Sequence, residues 1–192
     1  MPQDPALVEG PLDEMRRHRF VTSWVLEVPD VGTDNAMVKA ALNGWQLTGI
    51  LQYQTGAPYT ITSGVDISRD GIGNDRGKTT GVSLDRPAGS DQTVWFNPAA
   101  FAAGDVGTFG NVGKGAYFGP STYYFDMGLS KNIRFSDDMG FQFRAEFFNI
   151  FNQVNFANPA TAVNSASFGR ITGTHANQGD PRIMQFGLKF VF

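Results

Sequence analysis

Bulky apolar residues alternate with polar residues in five segments of the chain. Side chains of one parity share one face of a β-strand, so each segment predicts a strand with an apolar and a polar face. Each segment is about as long as a tilted strand that crosses a bilayer. The predicted strands cover about residues 17–29, 43–62, 122–135, 140–152 and 181–192.

The apolar parities are rich in aromatic residues, while the opposite parities are polar and place Arg144 beside Glu146. Two environments fit this pattern: a soluble β-sandwich with an internal core, and a membrane barrel with lipid outside and a wet lumen. Aromatic residues near the strand ends favour the barrel, because outer-membrane barrels carry interfacial aromatic girdles. The apolar parities are Phe20, Trp24, Leu26 and Val28; Trp45, Leu47, Leu51 and Tyr53; Tyr123, Phe125, Met127, Leu129, Ile133 and Phe135; Phe141, Phe143, Ala145, Phe147 and Phe151; and Met184, Phe186, Leu188, Phe190 and Phe192.

The connections between the predicted strands alternate between shorter and longer segments. Residues 29–43 and the polar turn "SDDMG" are the shorter ones, whereas residues 63–121 and 152–181 are long and rich in Gly, Asn, Ser and Thr. Outer-membrane barrels alternate short periplasmic turns with long external loops. The pattern therefore predicts long external loops at one end of the sheet. Within residues 29–43, "NAMVKAAL" predicts a short amphipathic helix.

A succession of motifs gives the chain a family resemblance. From about Arg16 to Phe192, "NGWQLTGILQYQTGAPYTI", "WFNPAAF", "GTFGNVGKG", "GPSTYYFDMGLSKNIRF", "FRAEFFNIFNQVNFANP", "SFGRIT" and "PRIMQFGLKFVF" follow one another. This succession resembles the C-terminal end of TonB-dependent outer-membrane receptors, and most of all the Oar-like group with a carboxypeptidase-regulatory-like domain. The resemblance implies a location in the bacterial outer membrane and a role in the uptake of a bulky nutrient.

The resemblance implies a parent barrel of about 22 strands, a plug domain and an inner-membrane energy-coupling complex as partners. The chain departs from that pattern, since the plug, the coupling box and a signal peptide are not recognised in it. The expected fold is therefore all-β: an antiparallel up-and-down transmembrane segment of about five long strands, forming part of a barrel. Residues 1–16 are expected to be a lead-in or external-loop remnant, and residues 17–192 the C-terminal barrel portion.

The final strand carries a pattern that the resemblance relates to barrel assembly. Backbone pairing with alternate side chains is how an added strand is recognised, so the barrel-assembly machinery is an expected partner, as is outer-membrane lipid. The alternative is that these residues only fill the apolar belt. The signal residues are Met184, Phe186, Leu188, Phe190 and Phe192.

The long segment after the second strand contains a candidate metal site. In "VDISRDGIGNDRG", Asp66, Asp70, Asn74 and Asp75 offer hard oxygen ligands of the kind that calcium prefers. The spacing is not that of an EF-hand loop. Asp, Asn and Gly also dominate ordinary turns, so both interpretations stay open. We therefore expect no cofactor, with calcium in this external segment as the alternative.

The motif "WFNPAAF" contains candidate ligand-binding residues. Trp95, Phe96 and Phe101 could form an aromatic platform, with Arg76 as a ligand-contacting charge. The alternative is that these aromatics pack the long segment onto itself.

Composition removes several classes of function. The 192 residues carry a net charge of −3, which argues against a nucleic-acid partner, and Cys is absent, which removes thiolate chemistry. His18 and His175 lie beside neither a nucleophile elbow nor a zinc-type pair, so we do not expect an enzyme. The main expectation is a transporter segment. The alternatives are a secreted or surface β-sandwich that binds glycans, and a truncated fragment without independent activity.

Overall fold

The computed structural model describes residues 5–136, 139–175 and 181–192. Its helices are α1 (Pro5–Val8), α2 (Ala36–Leu42) and a 3₁₀ turn at Pro98–Ala100. Neither α-helix in these ranges is long and apolar enough to cross a membrane. In chain order the strands are β1 (Arg19–Glu27), β2 (Trp45–Gln54), β3 (Pro58–Tyr59), β4 (Lys78–Thr79), β5 (Phe101–Ala102), β6 (Tyr117–Phe118), β7 (Thr122–Arg134), β8 (Gly140–Phe148) and β9 (Ile183–Val191).

The chain divides into two compact units. Residues 19–54, 123–136, 139–154 and 181–192 form the sheet unit, and residues 5–18, 55–122 and 155–175 form the loop unit. The sheet unit contains one five-stranded sheet in the order β1-β2-β7-β8-β9. This confirms the predicted all-β class with five long antiparallel strands. The loop unit contains the two-stranded pairs β3-β6 and β4-β5.

The register places the predicted apolar parities on one face of the sheet. Trp24 pairs with Gly49, while Met127 pairs with Phe147, which in turn pairs with Met184. Between β2 and β7, the Asn132 N–H donates to the Gly44 carbonyl at 2.9 Å, and Thr48 Oγ1 donates to the Gly128 carbonyl at 3.4 Å. The five apolar parities therefore form one surface, which we call the apolar face. The opposite surface is the polar face.

The apolar face is largely uncovered within the sheet unit. Every residue of β9 is exposed, and Phe186 and Leu188 expose 63% and 72% of their surface. A soluble β-sandwich would bury this face against a second sheet. On the polar face, Arg144 Nε donates to Gln142 Oε1 at 3.0 Å. Arg144 and Glu146, which the sequence places on the same polar parity, do not form one of the ion pairs of the described residues.

Two predicted strands extend too far. The second ends at Gln54 and not near residue 62, because Pro58 and Tyr59 leave the sheet and pair with Tyr117 and Phe118 as β3 and β6. The pattern extends the fourth strand to residue 152, but β8 ends at Phe148.

A turn with positive φ ends β8. Asn149 and Asn152 have φ of 50° and 52°, which an extended strand does not accommodate. The Asn149 side chain closes the turn by bonding the backbone of Gln153. In the predicted "SDDMG" turn, Asp137 and Asp138 lie outside the described residues.

The loop unit contains the apolar core of the protein. The predicted long external segments are thus not simple loops, because their aromatic residues pack on one another. Phe101 meets Tyr117 edge to face with ring centroids 5.2 Å apart, and Phe96 meets Phe168 in the same way at 5.4 Å. The buried cluster consists of Tyr59, Ile61, Phe96, Ala100, Phe101, Val112 and Phe168.

Gly49 makes room for an aromatic stack across β2. The Trp24 indole lies where a side chain at Gly49 would stand, and it stacks on Phe125 of β7 with ring centroids 5.5 Å apart. Phe125 stacks in turn on Phe151 at 5.3 Å. The absence of a side chain at Gly49 therefore lets an aromatic residue of β1 reach β7.

We predict that Gly49→Ala destabilises the sheet unit. The new Cβ would lie 2.1 Å from the Trp24 ring, so the indole must leave its stack, at a cost of about 1–3 kcal/mol. The measurement is the urea midpoint in detergent, followed by tryptophan fluorescence. Gly187→Ala in β9 is the matched control, since a Cβ added there would meet no atom within 4 Å. Equal midpoints for the two variants would contradict the prediction.

Candidate functional site

The loop unit contains a pocket of about 400 Å³ beside Trp95. Residues from two separate segments of the chain form it. Val94 and Ile171 are buried, whereas Trp95 and Phe156 are 39% and 47% exposed. The pocket is lined by Arg86, Gln92, Thr93, Val94, Trp95, Phe156 and Ile171.

Backbone hydrogen bonds join the two segments at the pocket. The Trp95 N–H donates to the Gly169 carbonyl, and the Ile171 N–H donates to the Thr93 carbonyl, both at 2.8 Å. Gly169 adopts a φ of 74°, a conformation that favours glycine. A Cβ there would also lie 3.2 Å from the Phe96 ring. The backbone that carries Trp95 is therefore fixed against the core of the loop unit.

The Trp95 ring lies beside a polar group of the core. Burial raises the pKa of the Tyr59 hydroxyl above its ordinary value, and the neighbouring Trp95 side chain acts in the opposite direction. Trp95 exposes 39% of its surface, so part of its ring is available for apolar contact.

The predicted ligand-binding residues have different positions in the structure. Phe96 and Phe101 are 3% and 6% exposed and belong to the core, so packing and not ligand contact explains them. The guanidinium of Arg76 donates to the Val112 carbonyl at 3.3 Å, and burial lowers its pKa. Only Trp95 of the four lines the pocket.

The pocket combines aromatic surface with hydrogen-bonding groups. Trp95 and Phe156 offer rings that can stack on a flat or apolar ligand surface. The Arg86 guanidinium and the Gln92 amide can fix the orientation of a polar or anionic group. The sequence did not indicate Phe156 or Ile171, because they come from a distant segment that folding brings beside Trp95.

The predicted metal ligands Asp66, Asp70 and Asp75 come together in the loop unit. One oxygen of each carboxylate lies within 4.8 Å of the others. The same groups accept backbone hydrogen bonds: Asp75 Oδ2 accepts from the N–H groups of Ile67 at 2.6 Å and Ser68 at 2.7 Å. Asn74 has a φ of 77°, which is typical of a turn. The carboxylates thus stabilise the turn by accepting backbone hydrogen bonds. They also lie close enough together to bind one cation.

Backbone hydrogen bonds stabilise the charged form of Asp66. Desolvation alone would raise the pKa of this carboxyl, but the N–H groups of Gly71 and Arg69 donate to it and the net effect lowers the pKa. The distances are 3.0 Å from Gly71 and 2.6 Å from Arg69. The ionised carboxylate therefore holds the turn closed.

The predicted assembly residues lie on the apolar face of β9 or just beyond it. Met184, Phe186, Leu188 and Phe190 belong to the strand, and Phe192 follows it with 90% of its surface exposed. The Phe190 and Phe192 rings stack with centroids 5.8 Å apart. Their role in assembly stays a prediction.

An antiparallel sheet with one exposed apolar face is what the wall of an outer-membrane β-barrel requires. The chain matches the family model described as "Outer membrane beta barrel domain" over residues 1–185. It therefore belongs to this family and is located in the bacterial outer membrane. No curated protein and no solved structure gives a significant match.

The Asp66 turn should weaken in acid. Because its pKa is lowered in the folded protein, its stabilising contribution is present above about pH 4 and is lost as the pH falls through the folded value. Amide hydrogen exchange at Arg69 and Gly71, corrected for intrinsic rates, should accelerate in that range. The control is the Gly77 amide, which donates to the Ile61 carbonyl. Parallel loss of protection at all three amides would contradict a local effect.

Calcium binding at Asp66, Asp70 and Asp75 stays a prediction with a direct test. A bound cation raises the thermal midpoint of the protein by mass action. Asp70→Asn should abolish this rise with little effect on the cation-free protein, because Asp70 is exposed and accepts from the backbone N–H of Ile72 at the turn. A midpoint unchanged by calcium would refute the metal site and leave the cluster as a turn.

Proposed function

We propose that the chain is the C-terminal barrel portion of a TonB-dependent outer-membrane transporter. The five strands form part of the wall, with the apolar face against lipid and the polar face toward a wet lumen. The loop unit captures a bulky nutrient outside the cell. A plug and an inner-membrane energy-coupling complex are the partners that transport requires.

The observation that carries this proposal is the internal core of the loop unit. Capture of a ligand requires side chains held in place before binding, since ordering them on binding costs affinity. Trp95 meets that requirement, because its backbone N–H donates to the Gly169 carbonyl and fixes the residue beside the core of the loop unit. The pocket beside it is mainly apolar, and its lining includes Arg86 and Gln92, which can bind a polar group of the ligand. An amphipathic nutrient with a flat or cyclic part suits this lining.

The order of the strands supports a position of the long connections outside the cell. The segment after β2 returns at the start of β7, and the segment after β8 returns at the start of β9, so both leave from one end of the sheet. Barrels of the outer membrane carry their long connections on the external side. We accordingly assign this end to the exterior and the opposite end to the periplasm. In this proposal the assembly machinery recognises β9.

A glycan-binding surface module is the second candidate function. The Trp95 ring favours it, since aromatic rings also stack on sugars. The exposed apolar face of the sheet argues against the soluble sandwich form of this alternative. The two functions differ in energy dependence: capture by an adhesin needs no inner-membrane complex, whereas active transport does.

The test is uptake of a nutrient panel by cells that carry chromosomal variants. We predict that Trp95→Ala weakens the affinity for the transported nutrient about tenfold, since a buried aromatic contact contributes more than about 1 kcal/mol. Val82→Ala is the matched control, because Val82 is an exposed apolar residue of the loop unit outside the pocket lining.

Deletion of the energy-coupling complex should abolish uptake and leave binding to the cell surface intact. Uptake that continues without the complex would refute the transporter. Equal affinities for Trp95→Ala and Val82→Ala would refute the pocket as the capture site.

A further inference from the structure

The C-terminal end of helix α2 is hydrogen-bonded to residues of the apolar face of the sheet. Trp45 Nε1 and Lys131 Nζ both donate to the Ala41 carbonyl at 2.9 Å. Lys131 Nζ also donates to the Asn43 carbonyl at 2.9 Å and lies 4.5 Å from the centroid of the Trp45 ring. Trp45 and Lys131 belong to the parity of the apolar face, so the end of α2 lies over that face.

Lys131 is an exception on the apolar face. Among the described strand residues of this face it is the only charged one, and it is 7% exposed. A charge that faces lipid is costly unless it is paired. The C-terminal end of a helix presents carbonyl groups with partial negative charge, which suit an ammonium group. The contacts with α2 and Trp45 therefore shield a charge that would otherwise face hydrocarbon.

The remainder of α2 presents apolar side chains to its surroundings. At about 100° per residue, Met37, Val38, Ala41 and Leu42 share one arc of the helix and Lys39 lies on the opposite side. Met37 is 80% exposed and Leu42 is 49% exposed. A short helix with this distribution suits the boundary between headgroups and acyl chains, where amphipathic helices lie with the apolar side buried by about 5–10 Å.

We propose that α2 is an interfacial anchor that inserts Met37, Val38 and Leu42 into the phospholipid leaflet beside the barrel wall. The occupant of this surface is lipid, because the helix continues from the apolar face, which is already the surface of the protein toward the bilayer. Asn35 caps the start of the helix. Its Oδ1 accepts hydrogen bonds from the backbone N–H groups of Met37 and Val38 at 3.0 and 3.3 Å. Lys131 and Trp45 hold its other end against the wall.

The topology of the sheet indicates which leaflet of the membrane α2 contacts. The connection that contains α2 joins β1 to β2 at the end of the sheet that also carries the β7–β8 turn. This end is opposite the long connections and faces the periplasm, where the inner leaflet consists of phospholipid. This last step rests on the orientation given above, whereas insertion into a lipid interface depends only on the location in the outer membrane.

Spin labels test the anchor in this chain, whose 192 residues contain no Cys. Single-Cys variants Met37→Cys, Lys39→Cys and Leu129→Cys are labelled and reconstituted in vesicles of phosphatidylethanolamine and phosphatidylglycerol. We expect the label at position 37 to be more accessible to oxygen than to an aqueous nickel chelate, and the label at position 39 to show the reverse. Leu129, on the apolar face of β7, reports that the wall itself is inserted.

An aqueous environment at position 37, with Leu129 in lipid, would overturn the proposal. So would labels at position 37 that approach one another between two copies in place of lipid. The accessibilities of the labels do not depend on transport. This test is therefore independent of the proposed nutrient uptake.

Lys131→Met tests the attachment of the helix. Removing the ammonium should increase the mobility of the label at position 37 and leave the Leu129 label unchanged. Lys131→Arg retains a cationic donor and should restore most of the immobilisation. Equal mobility in Lys131→Met and in the parent protein would refute the role of Lys131 in holding α2.

Discussion

Backbone hydrogen bonding constrains this protein more than any side-chain contact does. In hydrocarbon every N–H and C=O group needs a partner within the protein, so the wall has to be built from strands that pair along their whole length. Pairing fixes the register, and the register decides which side chains share a surface. Trp24 opposite Gly49, and Phe147 between Met127 and Met184, align five separate apolar parities on one face. The apolar face is thus a consequence of backbone pairing.

The sheet and the connecting segments use aromatic residues in different ways. In the sheet unit they lie on the apolar face and are half-buried or exposed, whereas in the loop unit they form the buried cluster around Phe96 and Phe101. A loop unit with its own core can hold a residue such as Trp95 in a fixed position. The same separation explains the 17 Phe residues of the chain, which exceed what one small core requires.

Periodicity was sufficient to predict the five strands and the helix near residue 36, because both depend on local patterns of side chains. It overestimated β2, since Pro58 and Tyr59 continue the alternation but pair with β6 in the loop unit. It could not separate Trp95 from Phe96, because neighbouring aromatics differ only in what packs on them. Phe156 in the pocket and Lys131 under α2 depend on contacts between distant segments, which alternation along one strand does not encode.

The two faces of the sheet are expected to meet different solvents, and neighbouring residues of β7 test this most directly. Leu129 belongs to the apolar face and Ser130 to the polar face. The two positions are adjacent in sequence, so single-Cys variants there lie at nearly the same depth in the membrane. In native outer membranes, a small membrane-impermeant maleimide should label Ser130→Cys and leave Leu129→Cys unlabelled until the membrane is dissolved. Equal labelling at both positions in intact membranes would contradict the account.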